Sequence, residues 1–177
     1  TLENTLWKSI YCQCWSTTEE SIPMWEIYSS DYESVKVSTT IRKLYNSLYY
    51  EYGELYDTFI GRVLYNSDRV VLEYLKKNSM EWIYDKSGLG IAKSLLIKRN
   101  IFSHENEVRL IYNSFGRIEH DFVQYQINPN ILFDEIVLDS RLSNEKFEEN
   151  KDSILKLGWE KIVKKSNIYD SPLDFYI

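Results

Sequence analysis

Two glutamates and an arginine fall at alternate positions in Glu105-Asn-Glu107-Val-Arg109, with Lys98 seven residues upstream of Glu105. Extended chain points residues i, i+2 and i+4 to one face, so a strand here would carry all three charges together. Val108, Leu110 and Tyr112 would then face the core. Two carboxylates side by side repel, which raises the apparent pKa of the pair, and an adjacent guanidinium offsets that. Such a set is either a ladder of ion pairs or a place where a carboxylate stabilises developing positive charge.

The surrounding elements must position this stretch. Ile10 to Trp15 alternates and reads as a half-buried strand ending at Ser16-Thr17-Thr18. Ser16 to Glu20 then reads as a helix start, for a helix carrying Met24, Trp25, Ile27 and Tyr28, with Pro23 in its first turn. Ser34–Ser38 is a short strand. Thr39-Thr40 caps a helix to about Tyr50, and Gly53 closes that region. Thr58–Tyr65 is a strand interrupted at Gly61. Asn66-Ser67-Asp68 caps a helix with Val71, Leu72, Leu75 and Trp82 inward, and Leu89–Arg99 is another helix. After the strand through Arg109, residues 120–127 alternate and read as its hairpin partner. Residues 131–138 form a strand or a helix-to-strand corner. A helix to Leu157 and a strand over 159–165 follow, and the apolar tail to Ile177 packs. The pattern predicts one α+β domain over 1–177, a central mixed or mostly antiparallel sheet flanked by helices.

Composition narrows the function classes. The 177 residues hold 44% hydrophobic and 27% charged side chains, the balance of a soluble globular chain with a sizeable core. The net charge of −6, with no basic run beyond paired lysines, argues against holding nucleic acid by phosphate contacts alone. No apolar run reaches membrane-span length and no leader is visible. Cys12 and Cys14 are the only cysteines, and only His104 and His120 could join them, so no metal site is expected. They read as reduced and buried, in a cytoplasmic protein. His104 lacks a nucleophile at useful spacing. Gly88-Leu-Gly90 is too short for a phosphate loop, and Ser16 is not in a nucleophile elbow.

Several segments resemble the bacterial DUF 2971 family of uncharacterised domains. Tyr11-Cys-Gln-Cys-Trp-Ser16 resembles the family's "CFS" strand, and Met24-Trp25 with Tyr28 its "MW..Y" helix. Lys98, Phe102, Glu105, Glu107 and Arg109 match "K…W..E.E.R", with phenylalanine where tryptophan is commoner. Phe133–Asp139 resembles the later "I..I.LD" strand. The family usually begins with a segment containing "ND.FE", so the resemblance implies missing sequence upstream of Thr1.

The order of elements is similar to that of the R-S-E class of ADP-ribosyltransferases, in which a strand ending in S-T-S precedes a helix and E-x-E opens a later strand. That similarity implies NAD as substrate, Glu107 as the charge-stabilising glutamate and Glu105 as the residue that orients or deprotonates the acceptor. It implies Ser16 and Thr17 beside the nicotinamide ribose, Trp25 or Tyr28 against a ring, and Lys98 and Arg109 holding the glutamates or a bound anion. The NAD-gripping arginine of an earlier strand has no counterpart in residues 1–177. The implied activity is that of a toxin or phage-defence effector acting on a protein or nucleic-acid acceptor. Two other readings stand beside it. One is a non-enzymatic nucleotide- or protein-binding regulatory module. The other is a metal-dependent nuclease using Glu105, Glu107 and a further acid.

Overall fold

The computed structural model describes residues 9–52, 57–118 and 120–170. In chain order the elements are β1 (Ile10–Ser16), α1 (Ile22–Tyr28), β2 (Val35–Ser38), α2 (Ile41–Tyr52), β3 (Thr58–Arg62), β4 (Leu64–Asn66) and α3 (Asp68–Tyr84). There follow α4 (Leu89–Ser94), β5 (Ile97–Arg99), a 3-10 helix (Asn100–Glu105), β6 (Glu107–Asn113), α5 (Pro129–Leu132), β7 (Glu135–Leu138), α6 (Asn144–Lys156) and β8 (Val163–Lys165). The class is α+β, as the alternation of patterns predicts, with the strands shared among three small sheets, antiparallel, mixed and parallel. No described helix is long and apolar enough to cross a membrane.

The chain divides into two compact units, each taken by itself. The first holds, of the described chain, residues 9–18 and the described part of 41–126. Its main sheet is antiparallel in the order β1-β6-β3, so β6 is central and bonded on both sides. Leu110 and Tyr112 of β6 pack with Leu44 and Leu48 of α2, and Tyr11, Trp15 and Ile60 close that core. The pleat sends Glu107, Arg109 and Ile111 to the other face. Cross-strand pairing adds Cys12, Cys14 and Ser16 from β1 and Phe59 and Gly61 from β3.

The second unit holds residues 19–40 and 127–170 of the described chain. Antiparallel β2-β7 and parallel β7-β8 make its sheet. Ile136, Leu138, Leu142, Trp159 and Val163 form its core. At the end of β7, Asp139 is fully buried. Arg141 satisfies it with Nε to Oδ1 at 3.0 Å and Nη2 to Oδ2 at 2.6 Å. Burial opposes the Asp139 charge, and Arg141 outweighs it and holds the carboxyl below the usual range. The same guanidinium donates to the Trp25 and Ser29 carbonyls, which ties α1 to this corner.

Several boundaries differ from the sequence reading for identifiable reasons. The helix expected to start at Ser16 starts at Ile22, because Ser21 accepts from the Met24 amide and Pro23 occupies the first turn. Ser16-Thr17-Thr18 instead bonds to the chain around Asn106. The break in the 58–65 strand falls at Val63 rather than Gly61. The helix expected to run to Arg99 ends at Ser94, and Ile97–Arg99 pairs in parallel with β4. Residues 120–122 bend and 123–128 have no regular secondary structure, in place of a hairpin strand, since both edges of β6 are already taken by β1 and β3. The strand expected over 159–165 is confined to β8. The lead-in, the Gly53 boundary and the last seven residues, 171–177, lie outside the described residues.

Candidate functional site

The charged stretch acquires its geometry from a switch of partners at Val63. The Val63 amide donates to the Glu107 carbonyl at 2.9 Å, still within the β6 ladder. The Leu64 amide donates to the Leu96 carbonyl at 2.7 Å and begins the pairing with β5. One segment therefore sews β5 beside β6 and sets Lys98 against the glutamates. Tyr65, paired with Lys98 across β4-β5, accepts the Glu107 amide on its hydroxyl at 2.9 Å.

Glu105 is not on the strand. It ends the 3-10 helix, and Asn106 follows at φ 44°, in the left-handed region. An all-strand segment would have used the alternate-face rule. Here the turn returns the Glu105 carboxylate to the same place by another route. Lys98 Nζ bonds Glu105 Oε2 and also Glu107 Oε1, the latter at 3.0 Å. Arg109 holds Glu107 Oε2 through Nε at 2.8 Å and Nη2 at 2.6 Å. Arg109 Nη1 donates to the Leu95 carbonyl at 2.5 Å, which fixes the guanidinium from behind. Lys98 also lies 4.6 Å from the Phe102 ring centre, so the residue expected as tryptophan supplies a cation–π seat.

Both glutamates are 8% exposed. Burial opposes ionisation of Glu107, but hydrogen bonds from Lys98 and Arg109 outweigh it and hold its carboxyl below the usual glutamate value. Burial works against the Lys98 and Arg109 charges too, and their carboxylate partners keep both pKa values raised. Burial is also the leading reason that the Tyr65 hydroxyl is pushed up. The cluster carries two positive and two negative groups and is internally neutralised.

Ser16 lies directly across β1-β6 from Glu107. Its hydroxyl donates to the Glu105 carbonyl at 2.6 Å and accepts the Thr18 amide at 3.0 Å. Thr17 donates twice to the Asn106 carbonyl, from its amide at 3.0 Å and its hydroxyl at 3.1 Å. Asn106 Nδ2 donates to Thr18 Oγ1 at 2.9 Å. The Ser-Thr-Thr end of β1 is thus stitched to the turn that carries Glu105. Six of the expected residues come together in the first unit: Ser16, Thr17, Lys98, Glu105, Glu107 and Arg109. Trp25 and Tyr28 lie on α1 of the second unit. Trp25 is 6% exposed, whereas Tyr28 is 60% exposed.

The cysteines correct the sequence reading. Cys12 and Cys14 are free thiols, and both are exposed. Tyr11 and Trp15, with larger apolar area, take the core face of β1, which leaves the thiols on the charged face. The two thiols share one face of β1, and each is the main influence on the other's ionisation. Tyr65, Asn106, Thr18 and Cys14 are members of this region that sequence spacing does not reveal. Only Asn106 leaves a signal, since asparagine favours left-handed turns. Among the described residues, no group of three or more His, Cys, Asp or Glu side chains could hold a metal ion, so the nuclease reading has no ligand set there.

Gly88 and Gly90 also have a structural account. Gly88 reverses the chain at φ 73°, and the Gly90 amide donates to Asp85 Oδ2 at 2.6 Å with the Trp82 backbone against its Cα. Comparison of the chain with family models, curated proteins and solved structures finds no match.

Proposed function

We propose that the chain is an NAD-consuming, ADP-ribosyltransferase-like enzyme of the toxin or phage-defence kind, working in the cytoplasm, with Glu107 as its charge-stabilising residue. The observation that supports this reading is the β1-β6 register, which sets Ser16 opposite Glu107 while the Ser-Thr-Thr segment anchors the turn bearing Glu105. Residues about ninety positions apart in the chain meet at one polar sheet face.

The chemistry follows from charge. When the ribose–nicotinamide bond breaks, nicotinamide leaves with the electron pair and positive charge spreads over the ribose carbon and ring oxygen. A carboxylate about 4 Å away stabilises that charge by on the order of 4 kcal/mol at an effective dielectric near 20. Glu107, ionised well below neutral pH, is in the required state. A nucleophile then bonds to the carbon and loses a proton. Glu105 is the residue to receive it, from water or from a protein or nucleic-acid acceptor. Lys98 occupies Glu107 Oε1, so a ribose hydroxyl would replace Lys98 there.

Incubation with NAD tests this. Nicotinamide release by the chain, reduced about a thousand-fold in Glu107→Gln, is the expected result, the factor being the same ~4 kcal/mol expressed as rate. The occupancy of both Glu107 oxygens by cations favours a second reading, a non-enzymatic nucleotide- or protein-binding module. Saturable nucleotide binding without nicotinamide release would select it.

A further inference from the structure

The segment that follows β6 returns over the core face of the first unit's sheet without joining it as a strand. Ile118 near its start and Val123 and Tyr125 further on pack against the cluster of Leu44, Leu48, Leu110 and Tyr112. Tyr11 of β1 fastens the part between them. Its hydroxyl donates to the His120 carbonyl at 2.6 Å, with the Ile118 carbonyl at 3.3 Å. Beside these anchors the packing leaves a cavity of about 380 Å³. Closely packed interiors hold few voids larger than a water molecule, whereas small-molecule sites generally run from about 300 to 1,000 Å³.

The wall of this cavity is aromatic. Tyr11, Tyr112, Phe122 and Tyr125 line it, and the Tyr11 and Tyr112 rings stack with centres 6.3 Å apart and planes at 28°. Asp121 is the only charged side chain among the described lining residues, and it is exposed. Phe122, next to it, is 62% exposed, so the two stand at the mouth. Ring faces and a carboxylate both present negative potential, which attracts a cation. An anion would meet Asp121 as a like charge, and a neutral ligand would leave it without a partner. Tyr11, Leu110 and Tyr112 point away from Glu107 and Arg109, so the cavity lies on the opposite face of the sheet from the charged cluster. We propose that it is a binding site for a small organic cation, an ammonium group on an apolar or aromatic body. The body lies against the tyrosine rings and the ammonium meets Asp121. The site is separate from the proposed NAD chemistry and does not depend on it.

Calorimetric titration of the whole chain with 2-phenylethylammonium, 2-phenylethanol and phenylacetate tests this, since the three probes share a ring and differ in charge. The expected result is saturable binding of the cation, at least about ten-fold tighter than the alcohol, with phenylacetate weakest. No binding of the cation, equal affinity for cation and alcohol, or tightest binding of phenylacetate would overturn the proposal. Asp121→Asn keeps the shape of the wall and removes its charge. It is expected to bring the cation down to the affinity of the alcohol, and an unchanged cation affinity overturns the role of the carboxylate. Phe122→Ala is expected to weaken the cation at least about three-fold. Unchanged binding in both variants would place the ligand elsewhere and overturn the site. Both substitutions fall at exposed positions, and circular dichroism checks that each variant keeps its fold.

Discussion

Glu107 is held by Lys98 on one oxygen and Arg109 on the other, and each cation is itself shielded from water. Removing one cation leaves carboxylate charge buried without its partner. Lys98→Met is expected to destabilise the fold by roughly 2–3 kcal/mol at neutral pH, less than a fully buried pair because Lys98 is 22% exposed. Its pH dependence has a definite sign. The folded Glu107 pKa is depressed, so its contribution is complete above the unfolded value, about 4.3, and fades as pH falls through the folded value. The gap between wild type and Lys98→Met should therefore narrow on acidification. Urea unfolding at neutral and acidic pH checks this, and a gap that stays constant would contradict the account of the ion pairs.

Among the elements, the turn between the 3-10 helix and β6 decides whether Glu105 joins the cluster. Asn106 stands there at φ 44°. Asn106→Ala is expected to lower stability by about 1–2 kcal/mol, and Asn106→Gly by less, since glycine enters the left-handed region freely. Equal losses in thermal unfolding would mean that the side-chain bond to Thr18, and not the backbone, sets the turn. Alternation along 105–109 made the grouping of Glu105, Glu107 and Arg109 legible, but not the route by which Glu105 arrives. A strand and a 3-10 helix followed by a left-handed residue place the carboxylate similarly, and only the backbone distinguishes them. The switch at Val63 was not legible for a different reason. It depends on Leu96 and Glu107, residues more than thirty positions away, and local pattern carries no trace of them. The same holds for the misassigned hairpin at 120–127. Alternation there is real, but β6 already has two neighbours.

At the level of the whole molecule, periodicity gave the α+β class and the core lines through Leu110 and Tyr112, because burial acts on every residue of a strand or helix face. It did not divide the chain into two units, whose segments interleave in sequence. Each unit has its own fully buried leucine, Leu110 at 2% and Leu138 at 0% exposure. Leu110→Ala and Leu138→Ala should each cost about 2–5 kcal/mol in chemical denaturation. Of the candidate site, residue types and the Ser16–Glu107 association were readable through order and resemblance. The neutralised state of the glutamates was not, since it comes from packing β5 against β6. That state makes the enzymatic reading a sharp one to test. The most direct measurement is nicotinamide released from NAD over time by the chain and by Glu107→Gln, both confirmed folded. Turnover by the former and an approximately thousand-fold loss in the latter is the predicted result. Equal release by the two proteins, or none from either, would contradict it.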